Sequence, residues 1–271
     1  MIKYEYMNIK EFFKNQIAVA IVLGSFLIAI GILGYAFINT NNNKGNSNDA
    51  LGNIMNQDKI FQGKDFEDNE YILGNKDNDI TVVVYSDFEC PFCKMLQENT
   101  IKKLQEKYSL NNTDITKGKI GIVYRHFAQS YHTKAPTEIN AAFCAREIYG
   151  QSVYKNFINR IYNITPANNE LDLSLLPDIT SFAVNEAKEN KEFIKKDFDK
   201  SEFIECLNKN TYNNELIEDM KDAASIELDG TPYTLVLYKD NDENIIITKI
   251  SGAKEANYFE NIIDKLLKLE K

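Results

Sequence analysis

The chain has 271 residues, 44% of them hydrophobic, and a formal net charge of -9. Such a length is ordinary for one globular domain with extensions and exceeds that of a mini-protein. The acidic balance argues against a nucleic-acid-binding protein, because neutralising phosphates requires clustered Lys and Arg. No nucleic-acid partner is therefore predicted.

An uncharged apolar segment, IAVAIVLGSFLIAIGILGYAFI, occupies residues 17–38. As a helix rising about 1.5 Å per residue it spans roughly 33 Å, enough to cross the hydrocarbon core of a bilayer. A cleaved signal peptide has a shorter apolar region followed by a small-x-small site, whereas this segment ends in YAFINT. We therefore predict a retained transmembrane anchor.

The lysines around this segment predict its orientation. Lys3, Lys10 and Lys14 precede it, whereas only Lys44 lies within about 20 residues after it. By the positive-inside rule, residues 1–16 stay in the cytoplasm and the rest of a single-pass cell-membrane protein is extracytoplasmic. The four cysteines would then face an oxidising space, in which disulfides persist.

The next segment, residues 39–69, opens with NTNNNKGNSNDA and is predicted to be a flexible tether, because it is poor in large apolar residues at its start. An ordered domain is predicted over residues 70–271. Its first elements are a strand near 71–73, a strand over Ile80 to Tyr85, a helix over 94–108 and a strand over 119–127. Because ITVVVY is apolar without alternation, we expect that strand to be buried on both faces.

The order strand, helix, strand predicts a parallel crossover unit. A mostly helical region of about 133–228 follows, and the chain then returns to a β-hairpin at 231–239 and 244–252. Residues 254–269 carry an apolar face at helical spacing and predict a final amphipathic helix. This order predicts an α/β domain with a helical insertion, but by itself it fits several folds.

The motif CPFC at Cys90 to Cys93 allows three interpretations: a redox pair, a metal site, or two buried thiols. It lies where a strand gives way to a helix, and Pro91 suits the first helical position. The N-H groups and positive dipole of the helix start would then lower the pKa of Cys90 from roughly 8.5, while Cys93 would be more buried and less acidic.

A metal site needs further ligands, and the chain has no second CxxC or paired-His motif. The other two cysteines and both histidines show no zinc-ligand spacing; they are Cys144, Cys206, His126 and His132. No metal and no cofactor are therefore predicted, and a redox pair is favoured over chance thiols.

Four segments, SDFECPFCK, YRHFAQSYH, AAFCA and LDGTPYTLVLY, together resemble the DsbA-like thiol-disulfide oxidoreductases of the thioredoxin superfamily. The resemblance covers roughly residues 70–269 and implies a thioredoxin-like fold with a large helical insertion. It makes Cys90 the attacked, solvent-facing sulfur and Cys93 its buried partner. It makes Pro232 a cis-proline beside them that presents backbone to a substrate peptide. The implied substrate-binding residues are Thr231, Pro91 and Phe92.

Two positions depart from this family. Many relatives have a buried acid six residues before the first cysteine, where this chain has Val84. Asp87 and Glu89 lie nearer in sequence, but strand alternation does not establish that either points inward. Strongly oxidising relatives often have His where this chain has Phe92, which offers only its backbone N-H to the thiolate. A milder oxidant is therefore expected.

Export, an even cysteine count and cysteines in the same segments of similar proteins favour a structural disulfide between Cys144 and Cys206 over two buried thiols. His126 and His132 are predicted to have structural roles. Aromatic residues of the insertion are predicted to form core rather than a substrate groove, namely Phe143, Tyr149, Tyr154, Phe157 and Tyr162.

These features predict an exported, membrane-anchored thiol-disulfide oxidoreductase that introduces disulfides into unfolded or reduced exported proteins. The resemblance implies reoxidation by a membrane redox partner of the DsbB or VKOR type. Two alternatives stay open: a disulfide reductase or isomerase of the same fold, and a client-binding envelope assembly factor with secondary redox activity.

Overall fold

The computed structural model describes residues 72–74, 79–108, 120–240 and 245–268. The predicted cytoplasmic segment, transmembrane anchor and tether, at 1–16, 17–38 and 39–69, lie outside the described residues. Within the described ranges, no helix is long and apolar enough to cross a membrane.

A mixed five-stranded sheet forms the centre of the domain, in the order β1-β3-β2-β4-β5. Its strands are β1 (Ile72–Gly74), β2 (Ile80–Ser86), β3 (Gly121–His126), β4 (Tyr233–Lys239) and β5 (Ile245–Ser251). β2 and β3 are parallel, and the other neighbouring pairs are antiparallel. Every residue of β2 and β3 is buried, as expected of central strands with apolar runs.

The helices after β2, after β3 and after β5 cover the sheet and build the insertion. They are α1 (Pro91–Leu96), α2 (Lys102–Lys107), α3 (Ala135–Tyr149), α4 (Gln151–Ile164), α5 (Leu176–Glu189), α6 (Lys200–Lys209), α7 (Asn213–Ser225) and α8 (Ala256–Leu266). The predicted order of crossover unit, helical insertion, hairpin and final helix is confirmed, and the domain is an α/β domain with a large helical insertion.

The helix predicted over 94–108 differs from the observed structure in two ways. It starts at Pro91, and a π-helical segment, Gln97–Ile101, joins α1 to α2. Within that segment Thr100 is buried and donates a hydrogen bond to the carbonyl of Lys254, 2.7 Å away. A local change of helical repeat of this kind leaves no clear mark in the spacing of apolar residues.

The insertion has its own aromatic core, and the five aromatic residues predicted to form it are all buried. A disulfide joins Cys144 of α3 to Cys206 of α6, with a Cα–Cα distance of 6.0 Å and a sequence separation of 62. α3 therefore connects the insertion's outer helices to the end of the sheet at which β2 meets α1.

Candidate active site

The CPFC motif lies at the turn between the buried strand β2 and α1. Cys90 is the N-cap residue of α1, in an extended conformation, and Pro91 is the first helical residue, as the sequence predicts. The N-H of Lys94 donates to the carbonyl of Cys90 at 3.1 Å, which closes the first helical turn. Cys90 and Cys93 are both free thiols in this structure.

Both sulfurs are covered, since Cys90 is 3% exposed and Cys93 is 1% exposed. The expectation that Cys90 faces solvent is therefore wrong as a statement about burial. The cause is the loop before β4, because the carbonyl oxygen of Thr231 lies 3.5 Å from the Cys90 Sγ. The neighbouring Pro91 and Phe92 are exposed, and the ring of Phe92 is 60% exposed.

The pKa values of the two thiols are shifted in opposite directions. A hydrogen bond from the Cys93 thiol, together with the Thr231 side chain and the N-H groups of Cys93 and Phe92, lowers the pKa of Cys90 to about 6 against the cost of burial. Burial first, and the adjacent Cys90 second, raise the pKa of Cys93 well above its ordinary value. One sulfur is thus a thiolate at neutral pH while its neighbour keeps its proton.

The loop before β4 forms the wall opposite α1. The Thr231–Pro232 peptide bond is cis, with Pro232 buried and Thr231 half-buried. Pairing of Tyr85 with Tyr233 fixes this loop beside the end of β2. The Nε2 of Gln129 donates to the Thr231 hydroxyl at 2.7 Å and so holds its side chain in one orientation.

The structure brings the predicted residues Cys90, Cys93, Thr231 and Pro232 together at this end of the sheet, with Pro91 and Phe92 at the edge. The disulfide of Cys144 and Cys206 belongs to the insertion instead. The catalytic and substrate-binding roles of these residues stay predictions.

Val84 lies in the apolar core below the thiols, 1% exposed. Asp87, for which the sequence left the direction open, points inward and is fully buried. Its carboxylate accepts hydrogen bonds from the N-H of Glu89 at 2.9 Å, the N-H of Gln129 at 2.8 Å and the Nδ1 of His132 at 2.8 Å. Desolvation raises the pKa of Asp87 despite these bonds.

Glu89 is fully buried as well, and it faces Glu138 of α3. One Glu89 oxygen accepts from the backbone N-H of Asn169, while both carboxyl oxygens of the neighbouring Glu138 are buried without a hydrogen-bond partner among the described residues. Burial and then this carboxyl neighbour raise the pKa of Glu138 to about 10. Glu138 therefore keeps its proton at neutral pH, since burial and a carboxyl neighbour both disfavour its charged form.

Both histidines have hydrogen-bond partners, in keeping with structural roles. His132 contacts Asp87, while the Nε2 of His126 lies 3.0 Å from the Tyr154 hydroxyl. Burial lowers the pKa of His126 to about 3, so this ring is neutral. Within the described residues, no group of three His, Cys, Asp or Glu side chains is arranged to hold a metal ion.

The sequence did not identify Ser86, Gln129 or Glu138 as site residues, and it assigned Tyr162 to the core alone. Ser86 carried a usable signal, since it is two residues after Val84 and so lies on the same face of β2. The other three come from segments 36 or more positions away, and only the packing of α3, α4 and the loop after β3 brings them to the thiols. Spacing within the motif could not have identified them.

Among proteins of known annotation, two relatives named "Probable disulfide bond formation protein D" match this chain. The one from Bacillus cereus is 29% identical over 101 residues, which is 37% of this chain and 37% of the relative. The one from Bacillus anthracis is 26% identical over 196 residues, covering 65% of this chain and 76% of the relative. They support the predicted enzyme class, a protein thiol-disulfide oxidoreductase.

Solved structures share the fold. The chain is similar to alpha-DsbA1 from Wolbachia pipientis, with a TM-score of 0.55, 24% identity and coverage of 75% of this chain and 93% of that one. It is also similar to oxidised BdbD from Bacillus subtilis, with a TM-score of 0.56, 19% identity and coverage of 76% and 97%. A family model described as thioredoxin matches residues 67–264, and the chain therefore belongs to the thioredoxin family.

Proposed function

We propose that this chain is a membrane-anchored thiol-disulfide oxidoreductase that introduces disulfides into exported proteins through Cys90 and Cys93. The single observation that carries the proposal is the asymmetry of the two free thiols. The pKa of Cys90 is lowered to about 6 and that of Cys93 is raised, at one helix start beside the Thr231–Pro232 bond. Thiol-disulfide exchange needs this combination of a good leaving thiolate and a protected neighbour.

Oxidation of a client proceeds in two exchanges. A client thiolate attacks the Cys90 sulfur of the Cys90–Cys93 disulfide, which forms a mixed disulfide and releases Cys93 as a thiolate that takes up a proton. A second client thiolate attacks the client sulfur of that mixed disulfide. The client leaves with a new disulfide, and Cys90 leaves as a thiolate stabilised by the N-H groups of α1. Two electrons have passed to the enzyme.

The surroundings of Cys90 suit an extended client segment. Such a segment would lie against the backbone of Thr231 and Pro232, which sit beside the thiols, with the exposed Pro91 and Phe92 as its other contacts. In the free enzyme Cys90 is covered, so a client would reach its sulfur through a small displacement of the Thr231 loop.

The location rests on the apolar segment 17–38 and the lysines before it. In this arrangement the N-terminus is cytoplasmic, and residues 70–271 act outside the membrane on unfolded or reduced exported proteins. A DsbB-like or VKOR-like membrane partner would reoxidise the Cys90–Cys93 pair. Protease digestion of sealed vesicles tests the topology, because the domain should be cleaved from outside while residues 1–16 are protected.

The proposed activity is tested by mixing the oxidised enzyme with a reduced, unfolded dithiol protein. We expect disulfides to appear in the client as the enzyme becomes a dithiol. Cys93→Ser, mixed instead with a disulfide-bonded client, should accumulate a mixed disulfide as the Cys90 thiolate attacks one client sulfur and the other leaves as a thiolate, and Cys90→Ser should give neither product. If clients bind but no disulfide transfers and Cys93→Ser traps nothing, the chain is a client-binding factor and the oxidoreductase proposal is wrong.

A reductase or isomerase is the second candidate, and the pKa of Cys90 favours it over the client-binding assembly factor. A value of about 6 is closer to the roughly 7 of thioredoxin than to the roughly 3.5 of strongly oxidising DsbA. The equilibrium potential of the pair against glutathione separates the two directions. A potential near about -270 mV supports the reductase, and one near about -120 mV supports the oxidase.

A further inference from the structure

The Cys93 sulfur lacks the carboxylate that would most simply assist a buried thiol. Val84, below it in the core, is apolar, and the fully buried Asp87 carboxylate is bonded to two backbone N-H groups and to His132. Yet Cys93 must exist as a thiolate during exchange, whichever direction the enzyme runs. It is the leaving group when the Cys90–Cys93 bond opens and the attacking group when that bond closes.

A chain of hydroxyl groups reaches the sulfur instead. The Ser86 side chain lowers the pKa of Cys93 against the larger opposing effect of burial, and the Ser86 Oγ lies 2.6 Å from the hydroxyl of Tyr162. Ser86 follows Val84 by two residues on the same face of β2, and Tyr162 projects from α4. Both residues are buried, and the ring of Tyr162 packs on Phe88 with 5.0 Å between centroids.

Two further donors face the same sulfur. The backbone N-H of Asp87 donates to the Cys93 Sγ at 3.5 Å, and the Thr231 side chain hydrogen-bonds with it from the loop before β4. The titratable groups that interact with Cys93 are Cys90, Tyr162 and the exposed Tyr131. The Asp87 carboxylate is bonded to His132 and to backbone N-H groups. In a mixed disulfide Cys90 has lost its thiol, so the donors that remain for Cys93 are the Asp87 N-H and the side chains of Ser86 and Thr231.

The two hydroxyls act as donors and not as bases. Burial raises the pKa of Tyr162 well above its ordinary value, so the phenol keeps its proton throughout. With Tyr162 donating to the Ser86 oxygen, the Ser86 proton is directed at the sulfur. A hydrogen bond to a buried anion is worth more than one to a neutral thiol, so this arrangement favours the thiolate.

We propose that Ser86 is a catalytic residue that stabilises the Cys93 thiolate, and that Tyr162 is the positioning residue that orients the Ser86 hydroxyl. In closing the bond, the Cys93 thiolate attacks the Cys90 sulfur of a mixed disulfide. The Cys90–Cys93 bond forms, the bond to the partner sulfur breaks, and the partner leaves as a thiolate that takes up the proton lost by Cys93. The enzyme sulfurs are oxidised and the partner sulfur is reduced, without another reagent. The inference rests on the proposed redox role of the pair.

The test follows the reduced enzyme in stopped flow with excess 5,5'-dithiobis(2-nitrobenzoate), across the pH range. Cys90 attack releases one coloured thiolate, and closure by Cys93 releases a second, so the two phases report the two sulfurs separately. We expect Ser86→Ala to slow the second phase by about 10-fold or more and Tyr162→Phe by a smaller factor, with the first phase within about twofold of wild type. The pH midpoint of the second phase should move upward in both.

The matched control is Tyr124→Phe. It removes another buried phenol hydroxyl, which donates to the Gln97 side chain at 2.9 Å instead of to Ser86. It should leave both phases unchanged, and Ser86→Thr, which keeps a hydroxyl, should restore the second phase. Equal slowing in Tyr124→Phe, or an unchanged second phase in both test variants, would overturn the inference. If the wild-type enzyme shows both phases but oxidises or reduces no client, the proposed function is wrong while the inference about Ser86 and Tyr162 stands.

Discussion

The two cysteine pairs of this domain have the same chemistry available and opposite environments. Cys90 and Cys93 sit at the first turn of a helix, where unpaired N-H groups point at a sulfur. Cys144 and Cys206 lie within α3 and α6, where the backbone N-H groups are engaged in helical hydrogen bonds, and they are joined across 62 positions. All four residues are cysteines, so it is their position relative to a helix start that makes one pair reactive and the other structural.

The largest expected effect is the acidity of Cys90. Because its pKa is about 6, alkylation of the reduced enzyme by iodoacetamide should rise with a midpoint near that pH and be nearly complete in rate by pH 7.5. Cys93 should stay unmodified over that range, since burial raises its pKa. Mass spectrometry of the alkylated peptides distinguishes the two, and a midpoint near the roughly 8.5 of an ordinary thiol would contradict the asymmetry.

The same shift has a consequence for stability. The Cys90 pKa is lower in the folded than in the unfolded dithiol form, so the folded form binds fewer protons between the two values. The stabilisation is complete above the unfolded pKa and is lost as the pH falls through about 6. In urea unfolding, the stability of the wild-type dithiol form relative to Cys90→Ser should therefore rise with pH over this range, because the comparison cancels the groups that the two proteins share.

The second prediction concerns the insertion's disulfide. Replacing both partners, as Cys144→Ser with Cys206→Ser, frees a long loop in the unfolded chain and should lower the free energy of unfolding by about 2–4 kcal/mol. The rates of both thiol phases should stay at their wild-type values below the unfolding transition. If a variant that is still folded lost the Cys90 phase, the disulfide of Cys144 and Cys206 would be needed for thiol exchange. That result would contradict its assignment as a purely structural disulfide.

Much of the fold could be predicted because its signals are local. ITVVVY and the CPFC turn each carry their pattern within ten residues, the hairpin carries its own over residues 233–251, and their order matched the structure. The reactive sulfur was also predictable from position, since Pro91 after Cys90 marks a helix start. The π-helical segment was not predicted, because a shift in helical repeat changes few residues.

The surroundings of the thiols were predicted less well, for a physical reason. Burial of Cys90 depends on the approach of Thr231, and the contact between Ser86 and Tyr162 depends on how α4 packs on the sheet. Both join segments more than 70 positions apart, so neither appears in a local pattern. The inward direction of Asp87 and Glu89 likewise follows from the turn after β2, where strand alternation has ended.

The smallest expected effect lies where the two regions meet, at Glu89 of the active-site turn and Glu138 of α3. The unfolded Glu138 carboxyl loses its proton near its ordinary pKa, whereas the folded one holds it to about 10, so the unfolded state binds fewer protons in between. This group therefore makes the fold less stable as the pH rises from about 4.5 towards 10.

Glu138→Gln places an uncharged amide beside Glu89 and should remove that slope. Its Tm should match wild type near pH 4 and exceed it by about 2–4 °C at pH 8 for each kcal/mol recovered. The exposed Glu106→Gln is the matched control and should leave the slope unchanged. A pH slope that survives in Glu138→Gln would show that Glu138 does not hold its proton in the folded protein.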